Sequence, residues 1–217
     1  MFDIAGTLTS IDVWKGLTAS PAIDPARLRR LWRGQLPFYA LYKLRLLSEY
    51  RFRHVWVNGL AKLVRDMSES EIEAIFNWMI EDYLTPYYRH DVIDELQQHK
   101  ANGVYVVLVS NMFEAFSQQF AAKVGADYGI GTRLAFAEGR ATGQIEGKPC
   151  AGPEKIEYVL EHLQAVLPSV SLQEQGAGYA DSFSDRALLG AVKVPTATYP
   201  DTRLASFAQE QGWRILQ

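Results

Sequence analysis

The chain has 217 residues, 48% hydrophobic and 22% charged, with a net charge of −3. That suffices for one domain with a substantial core, or a core plus a modest insertion. The charge balance and the absence of a long basic run argue against nucleic acid as a partner. No apolar run approaches the length of a membrane span, and no secretory leader is visible at the N-terminus. One cysteine, Cys150, excludes an internal disulfide framework and suits a reducing cytoplasm. A cytoplasmic protein with no membrane partner is the expectation.

The stretch FDIAGTLTS, residues 2–10, places Asp3 at the end of a short apolar lead, with a Gly-Thr turn behind it. From Ile11 to Tyr87 the periodicity is helical: PARLRRLWRGQLPFYALYKLRLL and FRHVWVNGLAKLVRDM carry apolar residues at three- and four-residue intervals. RLRRLWR, residues 27–33, reads as a solvated helix face with its Leu and Trp buried. SESEIEAIFNWMIEDYL opens with Ser68 or Ser70 as a cap and has early acids. The aromatic cluster Trp32, Phe38, Tyr39 and Tyr42 is expected in the core of this helical segment, with a lid surface toward the substrate. DVIDELQQHKANG is then a helix ending at Gly103, and VYVVLVS is a continuous apolar run of the kind found in buried parallel strands. FEAFSQQFAAKVG returns to helix, and the glycine-rich YGIGTRLAFAEGRATGQIEG reads as a hairpin. A helix starting near Pro153, a strand in GAGYADS, a helix through DRALLG, a strand in KVPTATYP and a final helix–strand pair complete the chain.

Strands alternating with helices imply an α/β fold: a doubly wound, mostly parallel Rossmann-like sheet with right-handed crossovers. The all-helical stretch of roughly 75 residues is too long for a loop and reads as an inserted all-helical cap domain. The expected division is a core of residues 1–11 and 88–217, and a cap of residues 12–87. Ligands of such sheets bind beyond the carboxyl ends of the strands, which is where Asp3, Ser110 and Asp181 fall.

Taken singly, each polar site has an ordinary explanation. Asp3 and Gly6 make a turn; Ser110 caps the next helix; Asp181 and Asp185 are a cap and an exposed helix acid. Lys155, in GPEK, is less ordinary, because a cation near a helix start opposes the helix dipole and favours a phosphate partner. Lys148 is a lower-ranked competitor in a turn. Asp181 and Asp185, four apart after a strand, can face one hard cation, and oxygen ligands of this kind suit Mg²⁺.

In that order, DIAGTLT, VSN, GPEK and YADSFSDRALL resemble the four motifs of the haloacid dehalogenase (HAD) superfamily, in its phosphoserine-phosphatase-like subclass, across essentially the whole chain. The resemblance implies a Mg²⁺-dependent phosphohydrolase of a small phosphorylated metabolite. Asp3 would attack phosphorus to form an aspartyl-phosphate, and Ser110, Asn111 and Lys155 would bind the phosphate oxygens. The metal set would be Asp3, the Ala5 carbonyl, Asp181 and Asp185. Asp12, at the start of the cap, could recognise a substrate amine, and arginines between 27 and 53 a carboxylate. The exposed side of the cap could support a homodimer.

Two features depart from the pattern. Family phosphatases usually carry Asp at position 5, which protonates the leaving oxygen and then activates water; a methyl group does neither. Three readings follow: substrates with good leaving groups, such as acyl phosphates; a catalytically impaired phosphate-binding or regulatory protein; or a phosphonatase-like C–P hydrolase, with Lys43 as the Schiff-base amine. The second departure is that only Met1 and Phe2 precede Asp3, short of the five or six residues of a normal strand. Either residues are missing upstream or the strand is abnormally short.

Overall fold

The structure, a computed structural model, describes residues 1–217. Six parallel strands form one sheet: β1 (Phe2–Asp3), β2 (Val107–Phe113), β3 (Tyr128–Thr132), β6 (Ala177–Ala180), β7 (Val194–Thr198) and β8 (Arg214–Leu216). Their spatial order is β3-β2-β1-β6-β7-β8. The order reverses between β1 and β6, which creates a crevice at the carboxyl ends of those two strands. A separate antiparallel hairpin joins β4 (Leu134–Ala137) to β5 (Arg140–Ile145). Helices α5 (His90–Ala101), α6 (Glu114–Val124), α7 (Glu154–Val166), α8 (Leu172–Gln175), α9 (Arg186–Gly190) and α10 (Thr202–Gln211) alternate with the later strands.

Between β1 and α5 the chain is helical, as its periodicity predicts. It forms α1 (Trp14–Ala19), α2 (Pro25–Lys43), α3 (Glu49–Ala61) and α4 (Glu69–Trp78), followed by a π-helical turn, Met79–Tyr83. Asp24 caps α2 by accepting from the Ala26 amide, with Pro25 in the first turn. At α4 the cap is Ser68, in a reciprocal pair with Glu71. One apolar cluster of 31 buried residues runs from these helices, through Leu60, Ile72 and Phe76, to Phe2, Leu108 and Phe113 of the sheet. The helical insertion therefore shares its core with the sheet rather than enclosing one of its own. No helix is long and apolar enough to cross a membrane.

Three local expectations are corrected. Trp32, Phe38 and Tyr39 are 52%, 39% and 46% exposed, so they are not core, and the Trp of RLRRLWR is not buried. The inward side of α2 is narrow, with only Leu31 and Gln35 buried, so the rings stack sideways onto α3 instead. Tyr42 lies on Phe52 with ring centroids 4.8 Å apart, and Trp32 lies near Trp56 at 5.5 Å. Tyr128–Thr132 is an edge strand of the parallel sheet, and the hairpin is confined to the residues that follow it. The glycines of YGIG serve close packing rather than a turn: a Cβ on Gly129 would lie 2.0 Å from the Ser117 carbonyl oxygen of α6. Finally, Ser110 does not cap α6. β2 continues to Phe113, and its register with β3 shifts between Val109 and Phe113.

Because that contact is backbone against side chain, Gly129→Ala must push α6 off the sheet edge. A loss of about 3 kcal/mol of stability is expected from overpacking, read as a lower urea midpoint with an unchanged m-value.

Candidate active site

β1 is only two residues long, yet it pairs on both sides, with Leu108 and Val109 of β2 and with Tyr179 of β6. This aligns Asp3 with Val109, so Ser110 sits one residue further along the neighbouring strand. Asp181 directly follows β6, across the crevice, and Asp185 closes a 3₁₀ turn, Phe183–Asp185, that leads into α9. Ligand oxygens of Asp3, Asp181 and Asp185 all lie within 4.8 Å of one another.

Lys155, in the first turn of α7, is 3% exposed and places Nζ 2.7 Å from Asp3 Oδ1 and 2.9 Å from Asp185 Oδ1. The two carboxylates explain how a lysine is tolerated at a helix start. Burial works against its charge, but Asp185 and Asp3 outweigh that and keep the ammonium charged. Thr7 Oγ1 lies 3.5 Å from Asp3 Oδ2 and 3.4 Å from Asp181 Oδ1, spanning the two acids from the turn. Gly6 makes that turn possible. Its φ is +85°, and a Cβ there would lie 2.0 Å from Asp181 Oδ2.

The charges in this crevice do not balance. Two carboxylates 4.8 Å apart repel by roughly 3 to 4 kcal/mol at an effective dielectric constant of about 20. One ammonium about matches the three mutual repulsions, and desolvation then adds several kcal/mol per ion. The Asp181 carboxyl is pushed up to about 8, first by burial and then by Asp3 and Asp185. Asp3 is also raised, chiefly by burial and against the pull of Lys155. An all-oxygen donor set with excess negative charge fits a hard divalent cation such as Mg²⁺.

Ser110 is fully buried, and its Oγ accepts from the Met112 amide at 3.2 Å. Asn111 accepts from Trp14 Nε1 at 3.2 Å, which leaves its amide hydrogens free to donate. Asp12, exposed just before α1, accepts from the Trp14 amide at 3.1 Å and so helps start that helix. The Ala5 side chain packs against the main apolar cluster. Lys148 lies outside this group, exposed and 3.7 Å from Glu157. Lys43 stands in solvent with its ammonium 5.4 Å over the Tyr39 ring.

Two residues of the neighbourhood were not picked out individually from the sequence: Arg53 stood only as one of the arginines between 27 and 53 considered for a carboxylate, and Glu154 was not named. Arg53 of α3 bonds Glu49 Oε1 at 2.9 Å and reaches within 3.5 Å of Ser182 Oγ, beside Asp181. Asp185, Glu49 and Asp3 outweigh burial and hold its guanidinium charged. Glu154, 4% exposed at the start of α7, accepts the hydroxyl of Tyr50 from α3. Neither stands out among the other charges of its helix, although the acid beside Lys155 in GPEK agrees with the helix dipole.

The family description haloacid dehalogenase-like hydrolase matches residues 1–190. A Mycobacterium tuberculosis protein named "Probable phosphatase" is 30% identical over 156 residues, covering 68% of this chain and 50% of that protein. Phosphoserine phosphatase SerB1 of the same organism is 26% identical over 221 residues, covering 99% of this chain and 68% of its own length. A crystal structure of a Bordetella pertussis protein of unknown function has a TM-score of 0.81 at 27% identity, covering 100% of this chain and 96% of that one. The chain thus spans about half the length of the first curated relatives it matches.

The raised Asp181 pKa makes a prediction for the metal-free protein. A carboxyl raised on folding stabilises fully below its unfolded pKa, and that contribution is lost as pH rises through about 8. Melting temperatures in EDTA should therefore fall from pH 5.5 to 8.5 more steeply for the parent than for Asp181→Asn. Mg²⁺ should raise the parent's melting temperature most at the alkaline end, where it competes with fewer protons.

Proposed function

This chain belongs to the haloacid dehalogenase-like hydrolases, and from that premise we propose that it is a Mg²⁺-dependent phosphohydrolase of a small phosphorylated metabolite. The observation that carries the reading is the convergence of Asp3, Asp181, Asp185 and Lys155 at the strand-order reversal. Asp3 is the nucleophile: an oxygen of its carboxylate attacks phosphorus, the ester or anhydride bond breaks, and an aspartyl-phosphate is left for water to hydrolyse. Lys155, Ser110 and Asn111 supply the hydrogen-bond donors for the transferring oxygens. Asp3, Asp181, Asp185 and the Ala5 carbonyl would hold Mg²⁺, which when bound offsets the charge of the phosphoryl group. Residues 12–87 act as a cap that covers the crevice and selects the substrate.

The methyl of Ala5 cannot protonate a leaving oxygen, so the proposed enzyme favours leaving groups that depart unprotonated, such as the carboxylate of an acyl phosphate. General acid–base help is commonly worth ~10²–10⁴-fold. Acetyl phosphate should therefore be turned over faster than p-nitrophenyl phosphate or a simple alkyl phosphate. Ala5→Asp should raise alkyl phosphate hydrolysis by about 10²-fold or more while changing acetyl phosphate little, and Asp3→Asn should remove phosphate release altogether. Mg²⁺-dependent phosphate binding without turnover of any substrate would instead favour the impaired binding or regulatory protein, the reading that Ala5 itself supports. Lys43 does not stand with the carboxylates, and nothing favours the Schiff-base route.

Arg53 reaches the crevice from the helical insertion, Asp12 lies close enough to feel its charge, and SerB1 carries the name phosphoserine phosphatase. O-phosphoserine is an alkyl phosphate whose leaving oxygen needs a proton, so it is the substrate to test in the Ala5→Asp variant, with Arg53 meeting its carboxylate and Asp12 its amine. Arg53→Ala should raise KM for O-phosphoserine by about tenfold or more while leaving kcat nearly unchanged, as expected when uniform binding is removed. For acetyl phosphate, which lacks that carboxylate, the same substitution should leave KM unaltered.

A further inference from the structure

On a different face of the helical insertion, α2, α3 and the β4–β5 hairpin enclose a groove of about 820 Å³. None of Asp3, Ser110, Asn111, Lys155, Asp181, Asp185, Asp12 and Arg53 lines it, whereas Arg27 and Arg30, of the arginines considered from the sequence for a substrate carboxylate, do. Successive residues of α3 turn by about 100°, so Arg53 looks toward the carboxylates while His54 and Asn58 line the groove, with the His54 ring packed on Tyr50 at 4.3 Å where the two sides adjoin. Arg27, Arg30, Lys62 and Arg65 line it, and Asp66 is its one acid. Four cations less one carboxylate leave three net positive charges, in a chain whose total is −3. Arg27 is partly engaged by the Leu63 carbonyl at 3.2 Å, and Asp66 stands 3.8 Å from both Arg27 and Arg65. Arg30 and Lys62 are exposed.

Surface cations alone would be an ordinary solvated patch. The floor of the groove is not ordinary. Gln35 is only 6% exposed; its Nε2 donates to the Val55 carbonyl at 3.0 Å, but its Oε1 has no hydrogen-bond donor. Gly59 admits this amide against α3, since a Cβ there would lie 1.9 Å from Gln35 Nε2. Nε2 of His54 is also buried and unpaired. A buried acceptor without a donor is uncommon in folded chains and calls for a partner. Phe38 adds an apolar wall.

We propose that this groove binds a small phosphorylated polyol, of the sugar-phosphate or nucleotide class, as a site separate from the catalytic crevice. Its phosphate lies on Arg30 and Lys62, one hydroxyl donates to Gln35 Oε1, and His54 meets a second polar group. The cations account for the anion, and the unpaired carbonyl accounts for the hydroxyl. The inference does not depend on the phosphatase reading.

Titration calorimetry of the whole chain in EDTA, with ribose 5-phosphate, glucose 6-phosphate and AMP as probes, tests it. At least one probe should bind saturably at millimolar concentration. Arg30→Glu with Lys62→Glu, both on the surface, should weaken that binding by at least ~10-fold and leave Mg²⁺-dependent turnover of acetyl phosphate unchanged. Gln35→Met should weaken the same probe by about fivefold, the effect of one lost hydrogen bond, without weakening pyrophosphate. No saturable binding by any probe would overturn the proposal. So would affinity unchanged by the double charge reversal, because the probe would then lie in the catalytic crevice. Equal weakening of pyrophosphate by Gln35→Met would reduce the groove to a charged patch and overturn it too.

Discussion

Three carboxylates and one ammonium share a crevice that water scarcely reaches, and this surplus of buried negative charge shapes everything around it. Left alone the acids repel one another, and burial first and the neighbouring carboxylates after it raise the pKa of Asp3 and Asp181. The scaffold imposes the arrangement regardless, through a positive-φ glycine that only just clears Asp181 and a lysine held at a helix start where the dipole opposes it. Such a cost is typical of sites built to be completed by a cation and an anionic ligand rather than to stabilise the fold.

The helical insertion meets this crevice in two ways. Its apolar side merges with the sheet into one continuous cluster, which fixes α4 against α6 and the centre of the sheet. The first half of α3, in contrast, reaches the catalytic side through polar contacts, Tyr50 to Glu154 and Arg53 to Ser182, while Val57, Leu60 and Ala61 of its second half belong to the shared cluster. Polar links of this kind are directional and can be exchanged for contacts to a ligand, whereas the shared apolar core cannot be opened cheaply. Any movement that admits substrate is expected at α2 and the first half of α3 rather than at α4.

In the proposed reaction, Ala5 would separate two requirements that the family resemblance assigns to one residue. Backbone geometry at this position supports the turn and, in the proposed reaction, the metal; the side chain would govern proton transfer. Replacing the carboxylate by a methyl group keeps the first and removes the second. It also spares the crevice a further negative charge, which the imbalance already present would make expensive to bury.

Much of this was legible along the chain. The alternation of apolar runs and helical periods gave the parallel sheet, and the uninterrupted helical pattern gave the insertion, because both are local consequences of residue spacing. Asp3, Ser110, Lys155, Asp181 and Asp185 could be picked out because each follows a strand or starts a helix. Other features could not be read this way. That YGIG is an edge strand packed on α6, that the rings of α2 stack sideways instead of entering the core, and that Arg53 and Glu154 reach the crevice all depend on which surfaces meet across long separations in sequence. The sequence by itself determined the elements and the residue types that can bind a cation and a phosphate. Only the tertiary structure decided that four residues, Asp3, Lys155, Asp181 and Asp185, occupy one crevice, because the strand order that brings β1 beside both β2 and β6 is set by packing, not by local periodicity.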